Sequence, residues 1–137
     1  MPPTLTPSVR RRLESAARRA AGAAYAPYSK FRVGAAVLAG SGKIYAGSNV
    51  ENASYGLCNC AERTAIFAAA SAGERRIRAV AVYTPTSQPT PPCGACRQVI
   101  NEFGPRALVI TLGRGAQRRE SPLDQLLPEA FGPENLK

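Results

Sequence analysis

Four cysteines and not one histidine constrain this chain of 137 residues more than any other feature. The cysteines come as Cys58-Asn-Cys60 and Cys93-Gly-Ala-Cys96. Without histidine there is no Ser-His-Asp triad, no Cys-His dyad and no imidazole acid–base chemistry. Any metal must be held by Cys, Asp or Glu. Three uses of the cysteines stand open. Two disulfides would need an oxidising compartment, and no export signal points to one. A redox CxxC pair of the thioredoxin type follows a strand near the N-terminus of a βαβ pattern, whereas this pair follows a proline-rich loop late in the chain. Zinc accepts Cys thiolates in tetrahedral geometry, either as a closed site of four or as three with an open position.

The order of elements frames these pairs. Residues 1–6 read as a loose lead-in. A helix is expected over 7–23, because Val9, Leu13, Ala16, Ala17 and Ala20 fall on one face of a 3.6-residue period. Pro7 suits its first turn and Gly22 its end. Phe31 to Leu38 and Lys43 to Val50 read as strands, joined through Gly40-Ser-Gly42 into a hairpin. An Ala-rich helix is expected over 60–72, stopped by Gly73. Ile77 to Tyr83 and Ala107 to Leu112 are short apolar runs of strand type. Between them lie the proline-rich 85–92 loop and a helix over 94–103. A last helix is expected over 121–131. The order implies an α/β fold of three layers, helices packed on both faces of one mixed sheet, and the length fits a single domain over 1–137.

Charge says less. The net charge of +9 comes from 15 Arg against 3 Lys, with Asp124 the sole aspartate beside eight glutamates. A polyanion partner is one reading, and a coding bias toward arginine is the plainer one. The arginines are scattered and lack the interleaved aromatics that stack bases, so no nucleic-acid partner is expected. No apolar run approaches a membrane span, so no membrane association is expected. The basic start lacks the apolar stretch of a signal peptide, which points to the cytoplasm.

The neighbours of the cysteines choose among the three uses. Cys60 opens a helix, and Cys93 and Cys96 sit at the start of another. Helix N-termini carry partial positive charge and favour thiolates. Cys93 and Cys96 are three apart, on one helical side, as a chelating pair must be. Glu62 stands two residues beyond Cys60 in a first turn, where both side chains can lean past the helix end. A structural zinc has no need of that carboxylate, whereas a hydrolytic zinc needs a general base beside its water. Cys58 then reads as a buried bystander. Arg63 and Arg97 follow Cys60 and Cys93 on the same helical sides and could draw charge off the sulfurs.

Cys60-Ala-Glu62 followed by Pro92-Cys-Gly-Ala-Cys-Arg-Gln98 resembles the signature of the zinc-dependent nucleoside and nucleotide deaminases, in their three-cysteine variant. The blocks Tyr25-Ala-Pro-Tyr-Ser-Lys-Phe31-Arg-Val-Gly-Ala-Ala36, Asn49-Val-Glu51-Asn-Ala53 and Cys58-Asn-Cys-Ala-Glu-Arg-Thr64 are similar to the small homotetrameric cytidine deaminases. The likeness runs from about residue 8 to 131.

The resemblance implies a five-stranded mixed sheet, with the fifth strand near Gln117 to Glu120. It implies one Zn2+ per chain on Cys60, Cys93 and Cys96, with Glu62 as the proton shuttle. The reaction would turn cytidine and deoxycytidine into uridine and deoxyuridine plus ammonia, in pyrimidine salvage. Phe31 would pack on the pyrimidine, Asn49 and Glu51 would hydrogen-bond the ribose hydroxyl, and the backbone of Ala61 would contact the base. Gln98 would hydrogen-bond a ligand sulfur. Tyr55 and Phe131 match positions that complete a neighbouring subunit's site, which implies a homotetramer. Deaminases of nucleoside antibiotics share the zinc motif, but the Asn49-Val-Glu51 block favours a plain ribose. A nucleic-acid-editing deaminase would need an open sugar site. A non-enzymatic zinc module would use all four cysteines.

Overall fold

The computed structural model describes residues 4–137, so residues 1–3 of the expected lead-in lie outside the described residues. The first helix, α1 (Pro7–Ala20), begins where the Thr6 hydroxyl accepts the Val9 N–H at 3.2 Å, with proline in the first turn. It tightens into a 3-10 turn over Ala21–Ala23 before the chain straightens at Ala24. Five strands follow: β1 (Gly34–Ala39), β2 (Ile44–Ser48), β3 (Ile77–Tyr83), β4 (Leu108–Leu112) and β5 (Arg118–Pro122). Between them lie α2 (Ala61–Ser71) and α3 (Gly94–Phe103), and α4 (Leu123–Leu126) closes the regular part. The sheet order is β2-β1-β3-β4-β5, with β3 and β4 parallel and every other pair antiparallel.

Strand alternation sorts the core into two faces. Ala36 and Leu38 of β1, Ala79 and Ala81 of β3, and Ile110 and Leu112 of β4 pack under Leu13, Ala16 and Ala17 of α1. Ala35, Val37, Val80, Val82 and Val109 point the other way, to Ala65, Ile66 and Ala69 of α2 and Ile100 of α3. The expected three layers and mixed sheet are borne out. The fifth strand lies at 118–122, overlapping the expected 117–120. Among the described residues, no helix is long and apolar enough to cross a membrane.

Three expectations need correction. The first strand does not begin at Phe31. The backbone of 31–33 is claimed by Asn49, whose Oδ1 accepts the Val33 N–H at 2.9 Å while its Nδ2 donates to the Phe31 carbonyl at 2.8 Å. The second strand ends at Ser48, and Val50 makes only isolated bridges to Tyr25 and Asn59. The last helix runs for four residues, not over 121–131. Pro128 disfavours helical geometry at Leu127, which adopts φ −139°, and Glu129 then turns into the left-handed region at φ 51°.

Candidate metal centre and pocket

Helices α2 and α3 both aim their N-termini at one point, and cysteines occupy both capping positions. Cys60 precedes α2 and Cys93 precedes α3, each with extended backbone and neither side chain capping its own helix. Their sulfurs are turned outward and meet each other at 3.9 Å. Cys96, one turn into α3 and fully buried, completes the group: the three Sγ atoms lie within 4.8 Å of one another. Zn–S bonds of about 2.3 Å in a tetrahedron place sulfurs about 3.8 Å apart. The donor set therefore fits zinc with one position left over. All four cysteines are free thiols in the structure, so neither disulfide is formed. Cys58 stands outside the group as expected but is half-buried, not buried, and also lines the cavity beside the sulfurs; its sulfur accepts the Asn52 N–H at 3.3 Å and donates to the Asn52 carbonyl at 3.6 Å.

The local electrostatics favour a thiolate here. The Cys96 sulfur beside it, with help from Arg63, brings the Cys60 thiol down to about 5. Cys96, coupled to Cys60 and desolvated as well, is pushed up. Arg63 sets its Nη2 at 3.2 Å from the Cys60 sulfur. Its Nε is buried without a partner, a spare donor beside the sulfur cluster. The start of α2 is braced from the side, where Thr64 Oγ1 donates to the Cys60 carbonyl at 3.2 Å and accepts from Asn59 Nδ2 at 3.0 Å.

Glu62, only 5% exposed, sits in the first turn of α2. Burial raises its carboxyl pKa, and the nearby Cys60 charge adds to the rise. It lines a cavity of about 550 Å³ together with Cys60, Cys93, Ala61, Arg63, Phe31, Asn49 and Glu51. That volume is in the range of small-molecule sites. Ser29, Thr84, Thr90 and Pro91 also face it.

The remaining expected site residues divide. Glu51 reaches the cavity, but its Oε1 accepts the Tyr28 and Ser29 N–H groups at 3.0 and 3.1 Å and its Oε2 takes the Ser29 hydroxyl. These bonds, the Ser29 hydroxyl first, hold its carboxyl below the usual carboxylate range. Asn49 lines the cavity and spends one donor and one lone pair on the 31–33 backbone, which leaves one N–H and one lone pair unspent. Tyr55 is 73% exposed, 5.9 Å from the Tyr28 ring, and lines a smaller cleft beside Glu51. Phe131 is 60% exposed and does not line its own chain's cavity.

Arg97 and Gln98 bond to backbone carbonyls in the structure. The Arg97 guanidinium donates to the Pro92 carbonyl through Nε and to the Leu126 carbonyl through Nη1, both at 2.9 Å. Gln98 donates through Nε2 to the Phe131 carbonyl at 2.8 Å. Neither makes a hydrogen bond to sulfur here; their partners are the Pro92, Leu126 and Phe131 carbonyls. Ser29, inside the Tyr25–Ala36 stretch, has no role from the sequence; its place two residues before Phe31 is the signal that points to it.

A profile for the cytidine and deoxycytidylate deaminase zinc-binding region matches residues 7–112. The chain belongs to this family. A cytidine deaminase of Halalkalibacterium halodurans is 51% identical over 114 residues, covering 82% of this chain and 86% of its own. One from Sporosarcina psychrophila is 49% identical over 127 residues, covering 91% and 93%. The crystal structure of cytidine deaminase from Burkholderia pseudomallei superposes with a TM-score of 0.86 at 49% identity, over 93% of this chain and 100% of that one.

Proposed function

We propose that residues 1–137 form one catalytic domain, a zinc-dependent cytidine deaminase that releases ammonia from cytidine and deoxycytidine. The observation that carries the reading is Glu62, a buried carboxyl beside a triad of thiol sulfurs in a nucleoside-sized cavity. Cys60, Cys93 and Cys96 would hold the metal. Once bound, zinc supplies Lewis-acid chemistry that makes a water acidic enough to ionise near neutral pH.

Glu62 manages the protons. It takes one from the attacking water, hands it to ring N3 and helps deliver one to the departing amine. An O–C4 bond forms, the C4–N bond breaks, and uridine and ammonia result. Its burial beside the sulfur cluster sets it where a proton can pass between water, ring and amine. Arg63 offsets the negative charge that three thiolates gather, through its bond to Cys60. Phe31 packs on the pyrimidine, and the Ala61 backbone contacts the base. Glu51 and Asn49 offer their remaining lone pairs and N–H to the ribose hydroxyl. A carboxylate there suits a free hydroxyl and repels a phosphodiester, which argues against a nucleic-acid substrate.

The exposed rings of Tyr55 and Phe131 support a homotetramer with sites shared between subunits, acting in the cytoplasm in pyrimidine salvage. Ammonia release and the matching ultraviolet change are measured with cytidine, deoxycytidine, cytosine and CMP in parallel. Turnover of both nucleosides, with little on the free base or the monophosphate, is the expected result. Zinc-loaded protein inactive on all nucleosides would remove the proposal.

A further inference from the structure

Helix α3 bears the Cys93 and Cys96 sulfurs at one end, and its next residues grip the C-terminal segment. Gln98 Nε2 and Asn101 Nδ2 converge on a single acceptor, the Phe131 carbonyl, at 2.8 and 3.3 Å. Asn101 is buried, at 8% exposure, so its amide is a costly group to leave unpaired. Arg97 holds the same segment farther back, at the Leu126 carbonyl. The segment packs close: a Cβ added to Gly132 would sit 2.9 Å from Asn101 Nδ2. Little regular structure fixes this stretch otherwise, since α4 ends at Leu126 and a short 3-10 turn begins only at Pro133. Yet the Phe131 ring points to solvent.

A carbonyl gripped twice, under a ring left exposed, is the arrangement of a group presented to something outside its own chain. We propose that Gln98 and Asn101 are positioning residues that set Phe131 against the nucleoside pocket of a neighbouring copy, so that they act in trans. This rests on the reading that Phe131 completes a neighbour's site. Two donors on one helix fix the height and direction of the Phe131 backbone, and the ring follows. Loosening them weakens nucleoside binding by the neighbour and leaves the chain's own metal ligands and Glu62 in place. The same arrangement assigns Gln98 a task at the tail, distinct from support of a ligand sulfur.

The test uses Gln98→Met and Asn101→Asp in the zinc-loaded protein, with Phe131→Ala beside them. Each is also co-expressed with a Glu62→Gln chain under a second tag, and mixed oligomers are isolated through both tags. The expected result is a KM for cytidine raised roughly tenfold, with kcat and zinc content near the parent's. In the mixed oligomers KM returns toward the parent value, because intact tails of the Glu62→Gln chains serve the active sites of the loosened chains. Gln98→Lys, which keeps a donor, should hold KM closer to the parent than Gln98→Met. A loss of zinc with kcat from Gln98→Met would assign Gln98 to the sulfurs and overturn the proposal. An unchanged KM in both loosened variants, while Phe131→Ala raises it, would overturn the positioning role alone. An unchanged KM in Phe131→Ala would remove the reading beneath it.

Discussion

Glu62 and Glu51 are two carboxyl groups in one cavity, driven in opposite directions. Burial lifts the first, and three donors from the Tyr28–Ser29 turn lower the second. The proposed function gives the two different work: Glu62 would carry a proton, and Glu51 would accept from a hydroxyl. Glu62→Gln keeps the shape and removes the shuttle. It should lower kcat by a factor of about 10²–10⁴ or more. Zinc content and thermal midpoint should stay at parent values, and substantial residual turnover would take Glu62 out of its role. Glu51 gives a pH prediction. A carboxyl whose folded pKa lies below its unfolded one contributes stability that is complete above the ordinary carboxylate range. That contribution is lost as pH falls through the depressed value. The part of the thermal midpoint that Glu51 supplies should accordingly persist as pH falls past about 4.3, where an ordinary Glu protonates. In Ser29→Ala, which deletes the largest lowering contribution, the fall in thermal midpoint should begin at a higher pH. Superimposable profiles of thermal midpoint against pH for the two proteins would deny Ser29 this influence.

Elements differ in how plainly the sequence announced them. Helix α1 was legible because Leu13, Ala16 and Ala17 bury on a 3.6-residue stripe. The hairpin was legible because Gly42 takes φ 91°, which side-chain-bearing residues avoid. Gly73, at φ 97°, ends the α2 segment for the same reason. The cluster of Cys60, Cys93 and Cys96 was legible because a pair three apart and a helix opening bring sulfurs together. Strand β5 (Arg118-Arg-Glu-Ser-Pro) has no apolar alternation, since it is an exposed edge, and only the resemblance located it. The roles of Arg97 and Gln98 were not legible, because long side chains at a helix flank choose partners from whatever packs there. Two glycines make the packing testable. A Cβ at Gly47 would lie 2.5 Å from the Ala65 nitrogen of α2, and one at Gly104 would lie 2.5 Å from the Ile77 carbonyl oxygen. Either alanine should cost about 1–3 kcal/mol in denaturant unfolding. Gly47→Ala displaces the helix that carries Cys60 and Glu62, so it should also lower kcat. Gly104→Ala strains the far end of α3 and should leave the kcat of folded protein unchanged. Equal losses of kcat would show that α2 is not held by this contact.

At the scale of the molecule, much of the arginine excess is consumed internally. Arg10 pairs with Glu120 and Arg118 with Glu14, tying α1 to the β5 edge. Arg32 and Arg75 donate to backbone carbonyls, and Arg18 stacks 5.5 Å over the Tyr83 ring. Beside the remaining exposed arginines the surface carries apolar side chains: Tyr28, Tyr55, Leu57, Phe67 and Phe131 are all exposed in the isolated chain. Monomeric proteins seldom leave broad apolar patches in water, and association of copies would cover such rings. In the proposed assembly a chain alone would keep its sulfurs and Glu62, which its own α2 and α3 supply, but would lack a neighbour's Phe131 against its cavity. Dilution should therefore separate two properties. As copies dissociate, KM for cytidine should rise while zinc per chain stays constant, and sedimentation should show the smaller species over the same concentrations. Burial in the assembly is the driving force, so Phe67→Glu, which puts a charge on that surface, should move the transition to higher protein concentration. A KM that stays constant while sedimentation shows dissociation would mean that each chain holds a complete pocket of its own.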